Sequence, residues 1–587
     1  MAALLAPSVI ALISLTSLQQ RLAWSESRLD LTYGALFHVQ HALLTIGVVA
    51  GLASVALALY HRKWLRRVLH LALICSLVDL FYRLAYGGAL SSGVLLAMTE
   101  TSGRETGELL AGHAILTVSL TLMALLALYA VKVAWNADIR FPMNRCLQTG
   151  ALSLSMIIAS MAIGWQQLGD TRLLKLVVLA EVKDTFPFDI ASAFASVATG
   201  LIDTHRLAPV RAGFKFPNVS RVNAVSRDAA PEIYVIVIGE TSRRINWSLF
   251  GYSRTTTPRL DAIRDDLVLF PHVTSNATNT ILSVPLALTR AAPATRRIVR
   301  SEKSIISLLK QAGFETFWIS NQERSDAFSN PISQIALEAD HASFTEDMEP
   351  SRRADGFDSN LLTRMDDVLA HFPKNGKAVL FLHMEGSHFG YKERYPANFE
   401  HFRSGRGAPR TLPDWPMRVL DEYDNSVYFT DYIVREVIRK LSRCGCRAGL
   451  VFFSDHGERL FDNDFSDDFG HGFPTISREE IEVPFFIWLS SAYQVANPVL
   501  VTRLKANTQS IAQLDNLFET MVDLTGVDYR NRAAAVSLFS DQLQSPARLD
   551  VLDIAEEAVS LPVEESRTLV TLRRPVAPAA MSTAPLP

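Results

Sequence analysis

Three stretches of the chain bring oxygen and nitrogen donors to the ends of apolar runs. In IYVIVIGETSRR an uncharged run stops at Gly239 and presents Glu240, Thr241 and Ser242. In GLVFFSDHGERL a second run delivers Asp455, His456 and Glu458 together. Between them, TSNATNTILSVPLALTR carries a hydroxyl-rich turn into an apolar helix that begins near Thr280. Carboxylates and imidazole without thiolate form a donor set suited to zinc or a similar divalent ion. A threonine hydroxyl is a poor nucleophile until it is deprotonated. Coordination to such an ion lowers its pKa, and the same charge polarises a phosphoryl oxygen under attack. A helix start adds backbone N–H groups that favour an anionic substrate. Thr280 is the candidate nucleophile on these grounds; Thr278, Ser275 and Ser283 compete, and periodicity does not separate them.

Those residues need a scaffold that gathers strand ends. After Pro231 short β-branched runs alternate with helical stretches, the pattern of an α/β layered domain. Strands are expected over Ile233–Ile238, Glu315–Ile319, Ala378–His383, Gly449–Ser454 and Pro484–Trp488. Helices are expected over Lys303–Ala312, Asn360–His371, Tyr423–Leu441 and Ile511–Leu524. Open α/β sheets place their sites at strand ends, where the donor-bearing segments fall.

The first 170 residues are different in kind. The 587-residue chain is 49% apolar with mean hydropathy +0.15, and the excess collects in runs that approach the ~20 residues needed to cross a bilayer. Five spans are expected near 2–19, 38–60, 68–90, 111–134 and 147–168, making 1–170 a transmembrane domain. Arg62, Lys63, Arg66 and Arg67 follow the second span, and Lys132, Arg140 and Arg145 follow the fourth, so both loops belong in the cytoplasm. Everything after about residue 170 then lies outside it. The first run lacks the basic flank and cleavage site of a signal peptide. Asp79 and Arg83, four apart on the third span, are expected to neutralise one another. Residues 171–230 read as a bridging segment whose stretch Phe186–Gly200 is amphipathic and suited to a bilayer surface. Residues 231–545 form the catalytic domain, and 546–587, rich in Pro and Ala, read as a disordered tail.

A net charge of −3 provides no basic stripe for a nucleic-acid partner. Of the four cysteines, Cys444 and Cys446 alone lie in the soluble part, and at one residue's separation no bridge is expected between them.

On its motifs the chain resembles the bacterial phosphoethanolamine transferases, the membrane family that includes lipid A modifying enzymes and mobile colistin-resistance proteins. The motifs are GETSR (Gly239 to Arg243), a threonine five residues before the proline of SVP (Thr280, Pro285), SDHGE (Ser454 to Glu458), and DNS followed by YFTDY (Asp424 to Tyr432). The likeness runs from the five spans to about residue 530. It implies a five-helix transmembrane domain joined to a periplasmic α/β/α sandwich of the alkaline-phosphatase and sulfatase type. It also implies a phosphatidylethanolamine donor and a covalent intermediate on Thr280. One zinc ion is implied, held by Glu240, Thr280, Asp455 and His456, with His388 and His471 near the substrate phosphate to assist proton transfer or hold a second ion. Glu458, Asn321 and Gln322 match positions that would hold ethanolamine or phosphate, and Glu105 matches an acidic position near the lipid headgroup. Asn276 and Ala277 stand where many relatives carry a cysteine. The GSHF and WISNQ segments are closer to the branch that decorates lipopolysaccharide core sugars or periplasmic glucans than to the lipid A branch.

Three other functions draw on the same residues. A sulfatase hydrolase needs Cys or Ser in a C/S-x-P-x-R context, whereas SVPLALTR puts Arg290 five residues beyond Pro285. A phosphoglycerol transferase shares a threonine nucleophile and five spans but fits GETSR less well. A catalytically inactive sensor or scaffold would tolerate loss of ligands, and all four are present.

Overall fold

The computed structural model describes parts of 42–62, 77–84, parts of 91–98, 116–125, 142–168, 188–221, 231–322, 330–344, 347, 356–373, 376–462, 469–473, 475–554 and 556–563. Two compact units emerge, one of 1–90, 113–193 and 564–587, the other of 91–112 and 194–563.

In the first unit, helix α1 (Met143–Leu168) contains a stretch, Met143–Ile163, that is long and apolar enough to cross a membrane. Shorter apolar helices, Ala42–Leu52 and Leu116–Leu125, fall within the expected second and fourth spans. The expected first span, 2–19, lies outside the described residues. Small residues let these helices approach. Ser153 Oγ donates to Gly47 O at 2.6 Å and Ser54 Oγ to Cys146 O at 2.6 Å, and a Cβ on Gly47 would lie 2.9 Å from Ile157. This is the packing that membrane helices use when water supplies no hydrophobic drive. Asp79 and Arg83 pair at 2.6 Å, both buried, as their spacing implied.

The second unit is built on a seven-stranded sheet. Its strands are β1 (Glu232–Gly239), β2 (Leu267–Leu269), β3 (Glu315–Ser320), β4 (His341–Ser343), β5 (Lys377–His383), β6 (Arg447–Ser454) and β7 (Phe485–Leu489), in the order β2-β7-β6-β1-β5-β3-β4. β6, β1, β5, β3 and β4 are parallel, and β7 pairs antiparallel with both β6 and the edge strand β2. All eight residues of β1 are buried, because helices cover both faces of a parallel sheet. Tyr234, Ile236 and Ile238 join one core with Phe381 and Phe453. That face is covered by helices α3 (Thr280–Leu288), α4 (Ile305–Gln311) and α7 (Leu517–Thr525). Ile233, Val235 and Val237 join the other core with Leu382 and Phe452, under α5 (Ser359–Ala370) and α6 (Asp414–Arg443). The result is an α/β/α sandwich. Helix α2 (Phe188–Gly213) precedes it.

Three expectations need correction. The chain does not lose structure at 546: β8 (Arg548–Leu552) and β9 (Ala558–Pro562) form an antiparallel pair. Cys444 and Cys446 are bonded to one another; Gly445, at φ +65°, turns the chain back after α6 and brings their Cα atoms to 5.2 Å, within disulfide reach. The helix expected over Ile511–Leu524 begins only at Leu517, because Ala512–Gln513 pairs as a strand with Val273–Thr274.

Candidate active site

The register of the sheet aligns its chemistry. Ser320 faces His383 across β3 and β5, His383 faces Ile238 across β5 and β1, and Gly239 faces Ser454 across β1 and β6. The residues that follow these positions, Gln322, Met384, Glu240 and Asp455, therefore leave the sheet at one edge. Thr280 reaches the same place as the first residue of α3, whose N-cap Asn279 accepts a side-chain hydrogen bond from Leu282 N. That cap satisfies one of the helix's otherwise unpaired N–H groups and fixes where the helix begins.

Thr280 Oγ1 donates at 3.0 and 3.1 Å to the two oxygens of Glu240 and lies 3.2 Å from His456 Nε2. The competing hydroxyls are elsewhere. Ser283 Oγ donates to the Asp455 carbonyl at 2.6 Å, Ser275 Oγ to the Ala277 carbonyl at 2.7 Å, and Thr278 Oγ1 is buried with no hydrogen-bond partner.

The ligand atoms offered by Glu240, Asp455 and His456 all lie within 4.8 Å of one another, and all three residues are buried. Asp455 Oδ1 accepts from Thr241 N at 3.0 Å and His456 N at 2.7 Å, whereas its Oδ2 is buried without a hydrogen-bond partner. His456 Nδ1 donates to the Gly457 carbonyl at 2.8 Å, which sets the tautomer and presents Nε2 to the cluster. Thr241 sits at φ +54°, a region a β-branched residue rarely adopts. It is held there by Asp455 and by Tyr423 Oη, which donates to its carbonyl at 2.8 Å.

The electrostatics ask for a cation. Burial and the charge of Glu240 push Asp455 up to about 7. Burial opposes a proton on His456, but Asp455 and Glu240 outweigh it and raise the imidazole to about 10. Burial likewise opposes the Glu240 charge, yet the hydrogen bond and charge of His456 hold it well below the usual carboxylate range. Two buried carboxylates, one oxygen of which accepts no hydrogen bond, an imidazole nitrogen and a hydroxyl fit a divalent ion such as zinc.

Other expected residues take distinct places. His471 Nδ1 pairs with Glu458 Oε1 at 3.1 Å, and its ring centroid lies 4.4 Å from that of His456 and 6.1 Å from that of His388. Glu458, expected to hold substrate, is 1% exposed and has its other oxygen bound by Tyr391 Oη, so both of its oxygens are engaged. Gln322 Nε2 donates to Glu240 Oε2 at 3.1 Å and to the Met384 carbonyl at 2.9 Å. Asn321, expected to hold substrate, has its amide engaged by Gly356 O, Asp358 Oδ1 and Asn360 Nδ2, whereas Gln322 touches Glu240, because consecutive residues after a strand point to opposite sides. Glu105 lies outside the described residues. Arg290 is ion-paired with Glu302.

Sequence reasoning missed His383, at the end of β5. It is buried, its Nδ1 lies 3.3 Å from Ser320 Oγ, and burial pushes its pKa down to about 4 despite the charge of Glu240. It also missed Asp462, which clamps Arg243 with two hydrogen bonds of 2.7 and 2.8 Å. Asn276 accepts from Asp515 N at 2.8 Å and receives Leu552 N on its carbonyl at 2.7 Å.

A family model described as Sulfatase matches residues 232–527, half of the chain. The chain belongs to the sulfatase family. Within the sulfatase family it is similar to "Phosphoethanolamine transferase EptC" of Escherichia coli (strain K12), 26% identical over 485 residues that cover 81% of this chain and 82% of that protein. Among solved structures it is similar to the zinc complex of the C-terminal periplasmic domain of Escherichia coli EptC, with 26% identity and TM-score 0.54 over 60% of this chain and 98% of that one. It also shares the fold of the integral membrane lipooligosaccharide phosphoethanolamine transferase A of Neisseria meningitidis, at 22% identity and TM-score 0.72 over 92% of this chain and 97% of that one. This sulfatase-family chain thus matches such enzymes through both of its units.

Proposed function

We propose that the chain is a zinc-dependent phosphoethanolamine transferase anchored by five spans in the bacterial inner membrane, with its sandwich domain in the periplasm. It takes phosphoethanolamine from phosphatidylethanolamine and delivers it to lipopolysaccharide or a periplasmic glucan. The observation that carries this reading is the hydroxyl of Thr280 at a helix start, within 3.2 Å of Glu240 and His456. The similarity to EptC, and to a zinc complex of its periplasmic domain, supports both the donor group and the metal.

Glu240, Thr280, Asp455 and His456 would hold the ion. When bound, zinc supplies positive charge that lowers the pKa of a hydroxyl and polarises a phosphoryl oxygen. Glu240 and the helix N-terminus fix the Thr280 oxygen in one direction before substrate arrives. Thr280 Oγ1, having given up its proton to solvent, attacks the donor phosphorus; a P–O bond to Thr280 forms and the P–O bond to diacylglycerol breaks. His471, its Nδ1 hydrogen held by Glu458, presents Nε2 to protonate the departing oxygen. His388, beside it, shares that role. In the second displacement the acceptor oxygen loses its proton to a histidine, attacks the same phosphorus, and releases Thr280.

GSHF and WISNQ, together with the likeness to EptC, favour an acceptor in the core or glucan branch. Mass spectrometry of envelope glycolipids and glucans from cells with and without the gene tests this. A phosphoethanolamine mass present on one species only when the gene is present names the acceptor; no difference on any species contradicts the transferase reading.

A further inference from the structure

A groove with about 100 Å³ of open space runs along the flank of α3, the helix that begins with Thr280. Ile281 and Leu286 form one wall, Val197 and Leu201 of α2 the other, and Arg296 and Arg300 stand at it. Leu286 is six residues from Thr280, about 9 Å along the helix axis. The two arginines differ from their neighbours. Arg290 and Arg297 pair with Glu302 and Asp203, whereas Arg296 and Arg300 have no ion pair among the described residues. One carboxylate, Glu556, lines the groove against their two charges.

The apolar wall continues outward. Phe194, Val197 and Leu201 follow i, i+3, i+7 spacing and so share one stripe of α2. Phe194 is 53% exposed and Leu201 38%. A stripe of this kind beside guanidinium groups suits the boundary between headgroups and acyl chains. The open space holds only a short run of methylenes, so the rest of a chain would lie on the exposed stripe.

We propose that this groove binds an anionic glycerophospholipid other than the donor, with its phosphate at Arg296 and Arg300 and an acyl chain between α2 and α3. The phosphate is matched by charge-assisted, two-pronged hydrogen bonding from the guanidiniums. Its occupancy ties the nucleophile's helix to the bilayer surface. The inference rests on the reading of the chain as a membrane-anchored transferase.

The test uses the full chain in detergent, with phosphatidylglycerol or phosphatidylcholine added and bound lipid counted by native mass spectrometry. Phosphatidylglycerol is expected to bind at least tenfold more tightly than phosphatidylcholine. The pair Arg296→Glu and Arg300→Glu should lose that preference, the pair Arg296→Lys and Arg300→Lys should keep most of it, and Val197→Trp, which fills the groove, should weaken retention. Equal binding of the two lipids, or full retention by the Glu pair, overturns the proposal and leaves the groove as a seat for the chain's own helices. Phosphoethanolamine labelling of the same wild-type sample separates the two readings. Absent label with lipid retained contradicts the donor assignment alone, and normal label with no lipid preference contradicts this one alone.

Discussion

Gly386 lies so close to Glu240 that a Cβ on it would sit 2.8 Å from both the amide nitrogen and the carbonyl oxygen of Glu240. Its φ of +52° already favours glycine. Asp358, accepting from Glu385 N and Gly386 N at 2.9 Å each, holds the loop in that position. Gly386→Ala should displace Glu240 and lower transfer by about 10–100-fold, the range seen when the supports of a metal ligand are lost. Bound zinc per chain and transfer rate, measured together, check it; an unchanged rate would show that the contact does not position the ligand.

Removing the ion should expose the charge imbalance of the site. Because Asp455 and Glu240 raise His456 to about 10, the metal-free imidazole carries a proton at pH 7, and zinc must displace it. Zinc affinity should therefore rise with pH, by about tenfold per pH unit for each proton released. Calorimetric titration of the chelator-treated chain in buffers of different ionisation enthalpy counts those protons. Binding with no proton release at pH 7 would contradict the assignment of His456.

Glu458→Gln removes the charge that fixes His471. The histidine then loses its orientation, and transfer should fall by about 10–100-fold while zinc content stays near normal, since Glu458 is not placed among the ligands. A variant that lost its zinc would move Glu458 into the metal site.

His383 predicts an acid limb. Its folded-state pKa of about 4 lies below the ordinary 6.5, so the unfolded chain takes up a proton first as pH falls. The stability it contributes is present above pH 6.5 and is lost as pH falls toward 4, by roughly 3 kcal/mol at most. Urea unfolding of His383→Gln at pH 7 and pH 4.5 should show a smaller loss than the parent chain; an equal loss would mean that His383 is not held neutral.

The strands that carry the site were legible because each is a continuous apolar run that stops just before its donors, at Gly239 before Glu240 and at Ser454 before Asp455. β2 and β4, of three residues each, are too short for any periodicity to register. Thr280 was separable from Ser275, Thr278 and Ser283 only by three-dimensional position, since all four fall within nine residues of the polar turn and the helix start that follows it. Asn321 and Gln322 read alike in sequence, yet one braces Asp358 and the other touches Glu240. His383 was invisible as chemistry because it reads as the last residue of a strand. The hairpin β8-β9 was hidden by a Pro- and Ala-rich composition that continues past it.

The central claim is that Thr280 carries the phosphoethanolamine group between donor and acceptor. Intact-protein mass spectrometry of the full chain, quenched after mixing with phosphatidylethanolamine without acceptor, tests it most directly. The parent chain should gain one phosphoethanolamine mass, mapped by peptide analysis to Thr280, and Thr280→Ala should gain none. An adduct on Thr280→Ala, or one mapped to another residue of the parent chain, would contradict the account.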